Sequence, residues 1–152
     1  MPIRTQNTAV KIGGGEIKVS EVYAKHIDTM REKARQGGFT PGTPVLDLEG
    51  YVSPGVMYLL DAEAVGSPWI LTTDYRDAAV LDYATKIFKR VPRNKLQRSW
   101  LLMRPGAKRR LSEEIFVRLN LDFPDGYEKR AEWRLGEGEL PLMLYAPKTA
   151  QP

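Results

Sequence analysis

Short, almost unbroken apolar runs recur along this chain, and a turn that starts a helix follows each of them. The runs are 44–48 (Pro44, Val45, Leu46, Asp47, Leu48), 69–71 (Trp69, Ile70, Leu71) and 99–103 (Ser99, Trp100, Leu101, Leu102, Met103). Successive side chains of a strand point to opposite faces, so a run that is apolar at consecutive positions has no solvent side. Such strands need cover above and below, which is the condition of a parallel sheet flanked by helices.

The segments between the runs supply the helices. Ser53-Pro54 reads as a capping serine with proline at the first helical position, opening a helix through Val56, Leu59 and Leu60. Asp74 reads as the cap of a helix whose stripe is Val80, Leu81, Ala84, Ile87, Phe88 and Val91. Leu111-Ser112 predicts a third helix, with Ser112 as cap and Glu113 and Glu114 placed against its dipole. Ahead of these, Val10 and Ile12 precede Gly13-Gly14-Gly15 while Ile17 and Val19 follow it, predicting a hairpin over about 8–19. Ser20 then caps a helix with the stripe Tyr23, Ile27, Met30 and Ala34, ended by Gly37-Gly38.

Past residue 126 the period changes. Tyr127, Ala131, Trp133 and Leu135 alternate with Glu128, Arg130, Glu132 and Arg134, and the run 142–146 returns as an antiparallel partner. The expected fold is α/β: a three-layer, mostly parallel sheet of three strand–helix units, with a C-terminal antiparallel hairpin at the edge. At 152 residues, 42% of them hydrophobic, the chain suits one domain over 1–152 that buries a core without metal or disulfide. Its lack of cysteine removes thiolate metal sites and cysteine nucleophiles. No stretch approaches the roughly 18–20 apolar residues of a membrane-spanning helix. Met1-Pro2-Ile3-Arg4 lacks the basic-then-apolar layout of a signal peptide.

Ligands of open parallel sheets sit beyond the carboxyl ends of the strands. Those ends carry Asp47, Glu49, Tyr51 and Ser53 after the first run and Asp74 after the second, so these five are the ligand-binding candidates. Asp47 and Glu49 are two apart and share a face of an extended chain, where two carboxylates suit acid–base work or the holding of a divalent cation. Helix capping accounts equally for Ser53 and Asp74. The segment 45–50 also resembles the first motif of class I methyltransferases, which implies an S-adenosylmethionine or nucleotide site with Asp74 on the ribose. Glu49, however, stands where that motif has its first glycine. His26, the only histidine, cannot form a metal site alone. No catalytic residue, metal set or cofactor is expected.

The net charge is +4, and the charge is clustered. No acid occurs between Asp82 and Glu113, while Lys86, Lys89, Arg90, Arg93, Lys95, Arg98, Arg104, Lys108, Arg109 and Arg110 all lie there. Arg93, Lys95, Lys108, Arg109 and Arg110 are the candidates for a surface that meets anionic lipid or a phosphate-bearing group. The scarcity of interleaved aromatics argues against nucleic acid.

A broader resemblance rests on Gly38-Phe39-Thr40-Pro41-Gly42-Thr43-Pro44, on Ser53-Pro54-Gly55, on Gly66-Ser67-Pro68-Trp69 and on Gly126-Tyr127-Glu128 with Leu144-Tyr145-Ala146-Pro147. This pattern is similar to the soluble extracytoplasmic C-terminal domains of bacterial multi-pass membrane proteins related to lipid-linked-sugar glycosyltransferases. The resemblance implies an accessory or recognition domain on the periplasmic face, not itself catalytic. Its partners would be the rest of the membrane protein in cis, anionic lipid or a lipid-linked sugar, with residues 8–19 as the link to the membrane region. The alternative is a small enzyme or nucleotide-binding domain using the strand ends.

Overall fold

The computed structural model describes residues 8–48, 53–66, 78–105, 109–134, 136 and 138–148. Strands β1 (Thr8–Ile12) and β2 (Gly15–Val19) pair as an antiparallel hairpin. Helix α1 (Glu21–Gln36), strand β3 (Pro44–Asp47), helix α2 (Ser53–Leu59) and strand β4 (Glu63–Ala64) follow. Helices α3 (Ala78–Phe88) and α4 (Arg93–Arg98) lead into β5 (Trp100–Met103). Helix α5 (Arg109–Leu119) precedes the closing strands β6 (Tyr127–Trp133) and β7 (Leu142–Pro147). The fold is mixed α/β, with a five-stranded mixed sheet in the order β4-β3-β5-β7-β6 beside the two-stranded hairpin.

The first and third apolar runs are parallel neighbours, with Val45 opposite Trp100 and Asp47 opposite Leu102. Their side chains divide between two cores. Val45 and Leu102 face Ile27 and Met30 of α1 and Val56 of α2. Leu46, Leu101 and Met103 face Leu81 and Phe88 of α3 and Ile115 of α5. Each such aliphatic side chain, fully withdrawn from water, contributes about 1.5–3 kcal/mol. On the second face Arg118 joins α5 to α3 through Asp82 at 2.6 Å. The predicted strand 69–71 and Asp74, the predicted cap of the helix after it, lie outside the described residues, and the other neighbour of β3 is the two-residue β4.

Helix α1 begins as its sequence predicts, the Ser20 hydroxyl accepting from the Tyr23 amide at 3.2 Å. Its buried stripe is Ala24, Ile27, Met30 and Ala34, whereas Tyr23 stays 47% exposed at the rim. The hairpin over 8–19 contributes to the core. Val10, Ile12 and Val19 enter the first core. Arg31 ties it down, donating from Nη2 to the Lys11 carbonyl and from Nε to the Leu59 carbonyl, both at 2.8 Å.

Three further expectations are corrected. The stretch 93–98, which reads as loop, is the helix α4; its first turn follows Pro92 with no capping side chain, and only Leu96 is buried, so neither signal appears in the sequence. Helix α5 opens at Arg109, two residues before Leu111, which puts Ser112 inside the helix rather than at its cap. Arginine is a good helix former and extends the element backwards. Finally, Tyr127 does not share a face with Ala131 and Trp133. The register between β6 and β7 shifts between Lys129 and Ala131, so that Arg130 is an extra residue. This bulge inverts the alternation: Tyr127 packs in the second core, Ala131 and Trp133 in the first.

The bulge presses on the end of α1. Gly37 has φ −76°, which any residue adopts, but a Cβ there would overlap the backbone carbonyl of Arg130. Gly37→Ala is therefore expected to cost about 1–3 kcal/mol through overpacking. Gly14→Ala, where a Cβ meets nothing within 4 Å, should stay within about 0.5 kcal/mol of wild type in the same urea titrations.

Tyr127 offers a second test. Phe123 lies 5.8 Å from its ring, and burial, helped by the nearby Asp122 carboxylate, pushes the phenol up to about 12. An acid whose folded pKa is raised stabilises the fold below its unfolded value of about 10 and loses that contribution as pH rises towards the folded value. Stability should thus fall between about pH 10 and 12, and fall less steeply in Tyr127→Phe, as measured by urea midpoints across that range.

Candidate functional site

The parallel pair β3 and β5 has two ends, and the sequence candidates divide between them. At the carboxyl end β3 finishes on Asp47, only 3% exposed. Asp47 is opposite Leu102 in the register, and Arg104 lies two residues beyond Leu102, which puts Asp47 and Arg104 on the same face. The Arg104 guanidinium reaches Glu139, Nη2 to Oε2 at 3.5 Å. A buried carboxylate at the end of one strand, with a largely buried guanidinium and a second acid just past the end of its neighbour, is chemistry suited to a small polar ligand. Ser53 is the first residue of α2. Glu49, Tyr51 and Asp74 lie outside the described residues. Arg104 and Glu139 are additions that sequence reasoning missed, since their approach depends on the pairing of β5 with β7 rather than on spacing.

The amino end carries the other group. The chain leaves α3 through Lys89 and Arg90, turns at Pro92 into α4, and enters β5 from Arg98 by way of Ser99. Lys86, Lys89, Arg90, Arg93 and Arg98 are all exposed. No ion pair engages them among the described residues. Lys95 is different, because its ammonium pairs with Glu63 at the start of β4. The neighbouring Asp82 is likewise engaged, by Arg118 at 2.6 Å. With the adjacent acids paired, the surplus charge of this end is positive. Tyr83, 62% exposed, stands one turn before Lys86 on the same side of α3.

The stretch that reads as one basic block is therefore cut in two by β5. Four residues of extended chain span about 10 Å, so Arg104 and the opening of α5 at Arg109 and Arg110 come after the far end of the strand. Lys108 lies outside the described residues. Among the described residues no cluster of three histidine, cysteine or acidic side chains could hold a metal ion. No helix among them is long and apolar enough to cross a membrane. Comparison with known protein families, with curated proteins and with solved structures finds no match to this chain.

The different settings of Lys95 and Arg93 are separable by mutation. Lys95→Gln breaks a half-buried pair joining α4 to β4 and should lower stability by about 0.5–1 kcal/mol. Arg93→Gln removes an exposed cation that makes no ion pair among the described residues and should change it by less than about 0.5 kcal/mol. Urea denaturation of the two variants checks both.

Proposed function

We propose that this domain is a non-catalytic recognition module that docks on an anionic membrane surface through the exposed cations of α3 and α4. One observation carries this reading: Lys86, Lys89, Arg90, Arg93 and Arg98 are exposed and make no ion pair among the described residues, while the acids around them, Asp82 and Glu63, are already engaged. Each basic residue near an anionic leaflet is worth about 1 kcal/mol, so five together hold a tethered domain against its bilayer. Tyr83 adds an amphipathic ring of the kind that settles at headgroup level. In this reading the domain belongs to a larger membrane protein resembling the lipid-linked-sugar glycosyltransferases. It lies on the extracytoplasmic face and holds the lipid surface or the lipid-linked substrate beside the membrane region. The two covered faces of the sheet support a three-layer domain, whose remaining strand–helix unit would run through 69–71 and Asp74.

A second reading is favoured by Asp47 and Arg104, which share a face at the carboxyl end of the parallel strands. It makes the domain a binder of a small polar ligand, a nucleotide or S-adenosylmethionine included. Thermal-shift titration with sugars, nucleotides, S-adenosylmethionine and divalent cations tests it, and a ligand whose effect disappears in Asp47→Asn would support it.

For the membrane reading the measurement is co-sedimentation with liposomes of increasing phosphatidylglycerol content. Wild type should bind at low ionic strength and come off as salt shortens the Debye length from about 10 Å at 0.1 M to about 3 Å at 1 M. The variant with Lys86, Lys89, Arg90, Arg93 and Arg98 changed to glutamine should stay in the supernatant. Equal sedimentation of the two proteins, or none by wild type at low salt, would overturn the proposal.

A further inference from the structure

Helix α1 packs on β6, and near the carboxyl end of β6 the two leave an open cleft of ≈ 470 Å³. Thr29 and Lys33, one turn apart on α1, line it from the helix, and Glu132, Trp133 and Arg134 line it from the strand and its end. This place shares no residue with the membrane-docking face of α3 and α4, so a ligand here would bind whether or not that face meets lipid.

The uncommitted polar groups of the cleft are donors. Lys33 is exposed and makes no ion pair among the described residues, and an ammonium has donors only. Arg134, also exposed, donates one hydrogen bond, from Nη1 to the Glu139 carbonyl at 2.6 Å, which leaves other donors of its fork for a ligand. The Thr29 hydroxyl is exposed and makes no hydrogen bond among the described residues. The one acid in the lining, Glu132, is held by Lys129 at 2.9 Å. That hydrogen bond, with the charges of Arg134 and Lys33 adding to it, keeps the Glu132 carboxyl below its usual range. Both cations of the lining therefore lie within electrostatic reach of one carboxylate. Lys129 already answers that carboxylate, so Lys33 and Arg134 leave the cleft with two positive charges in surplus. Glu32, the acid next to Lys33 on α1, is likewise taken up, by Arg35 at 2.6 Å.

We propose that this cleft binds the dianionic phosphate of a phosphate monoester. The Arg134 fork takes phosphate oxygens, Lys33 brings the second charge, and the Thr29 hydroxyl donates to a remaining oxygen. Above its second pKa of about 6 a monoester carries nearly two negative charges, which match the surplus. A diester carries one charge and has fewer free oxygens, so the site discriminates by the phosphate and leaves the organic body in the open mouth. Soluble esters and the headgroups of monoester lipids share this chemistry, and the experiment separates the two sources.

The test is a titration of the ¹⁵N-labelled chain with methyl phosphate at about pH 8 and constant ionic strength, following the backbone amides of Thr29, Lys33 and Arg134. Dimethyl phosphate, the monoanionic diester, is titrated in parallel. The amides should move on addition of methyl phosphate, with a dissociation constant below about 10 mM, and the diester should bind at least about fivefold more weakly. The Lys33→Gln/Arg134→Gln double variant, followed at Thr29, should bind methyl phosphate at least about fivefold more weakly. Both substitutions are at exposed positions, and an otherwise unchanged amide spectrum reports that the variant is folded. The variant with Lys86, Lys89, Arg90, Arg93 and Arg98 changed to glutamine should keep wild-type affinity for methyl phosphate, which separates this site from the membrane face. If that variant still sediments with phosphatidic acid vesicles, the monoester belongs to a lipid headgroup; if it stays in the supernatant, to a soluble ester. Unmoved amides, equal affinity for the diester, wild-type affinity in the double variant, or lost affinity in the membrane-face variant would each overturn the proposal.

Discussion

Strands β3 and β5 lie side by side with Val45, Leu46, Leu101 and Leu102 all at 0% exposure, and the rest of the structure is arranged to keep them so. A strand pair that is apolar on both faces cannot stand at a surface, because leaving either face wet would forfeit the burial of that whole set of side chains. One face is covered by α1, α2 and the N-terminal hairpin, the other by α3 and α5. Short strands suffice because nearly every residue in them is buried. The pair also has two distinct ends, and that is what separates the candidate surfaces: a carboxylate and a guanidinium at one, exposed cations at the other.

The bulge at Arg130 is the second constraint, and it acts on the edge of the sheet. Strict alternation would have sent Tyr127, Ala131 and Trp133 into one core. With one extra residue, β6 serves both: Tyr127 joins Phe116 and Phe123, while Trp133 goes under α1. The carbonyl displaced by the bulge lies where a side chain on Gly37 would be, so helix end and bulge are matched to each other.

Charge in this protein is informative only after pairing is taken into account. The basic stretch after Asp82 reads as one continuous feature, yet Lys95 is engaged by Glu63 and Arg104 reaches Glu139. What remains exposed between Lys86 and Arg98 belongs to one end of the sheet, because α4 delivers the chain directly into β5. A surface of this kind attracts anions by long-range potential rather than by fixed geometry, which suits headgroups better than a shaped substrate.

Elements with local signals were legible in the chain alone. The doubly apolar runs 44–48 and 99–103, the Ser20 cap with its helix, and the alternating hairpin after residue 126 all appear where their patterns place them, since cap, period and turn act over a few residues. Of the site candidates, Asp47 could be placed at a strand end from the same local pattern. The remaining features depend on contacts between distant segments. The helix α4 has no cap and one buried residue, so only its packing against β3 and β7 declares it. Arg104 meets Glu139 across thirty-five positions of sequence, and Lys95 meets Glu63 across thirty-two. The inversion at Arg130 is invisible to a period-two reading, because one inserted residue leaves the composition of the strand unchanged and alters only its register. Register is a property of the pair β6 and β7, and it exists only once both are in place.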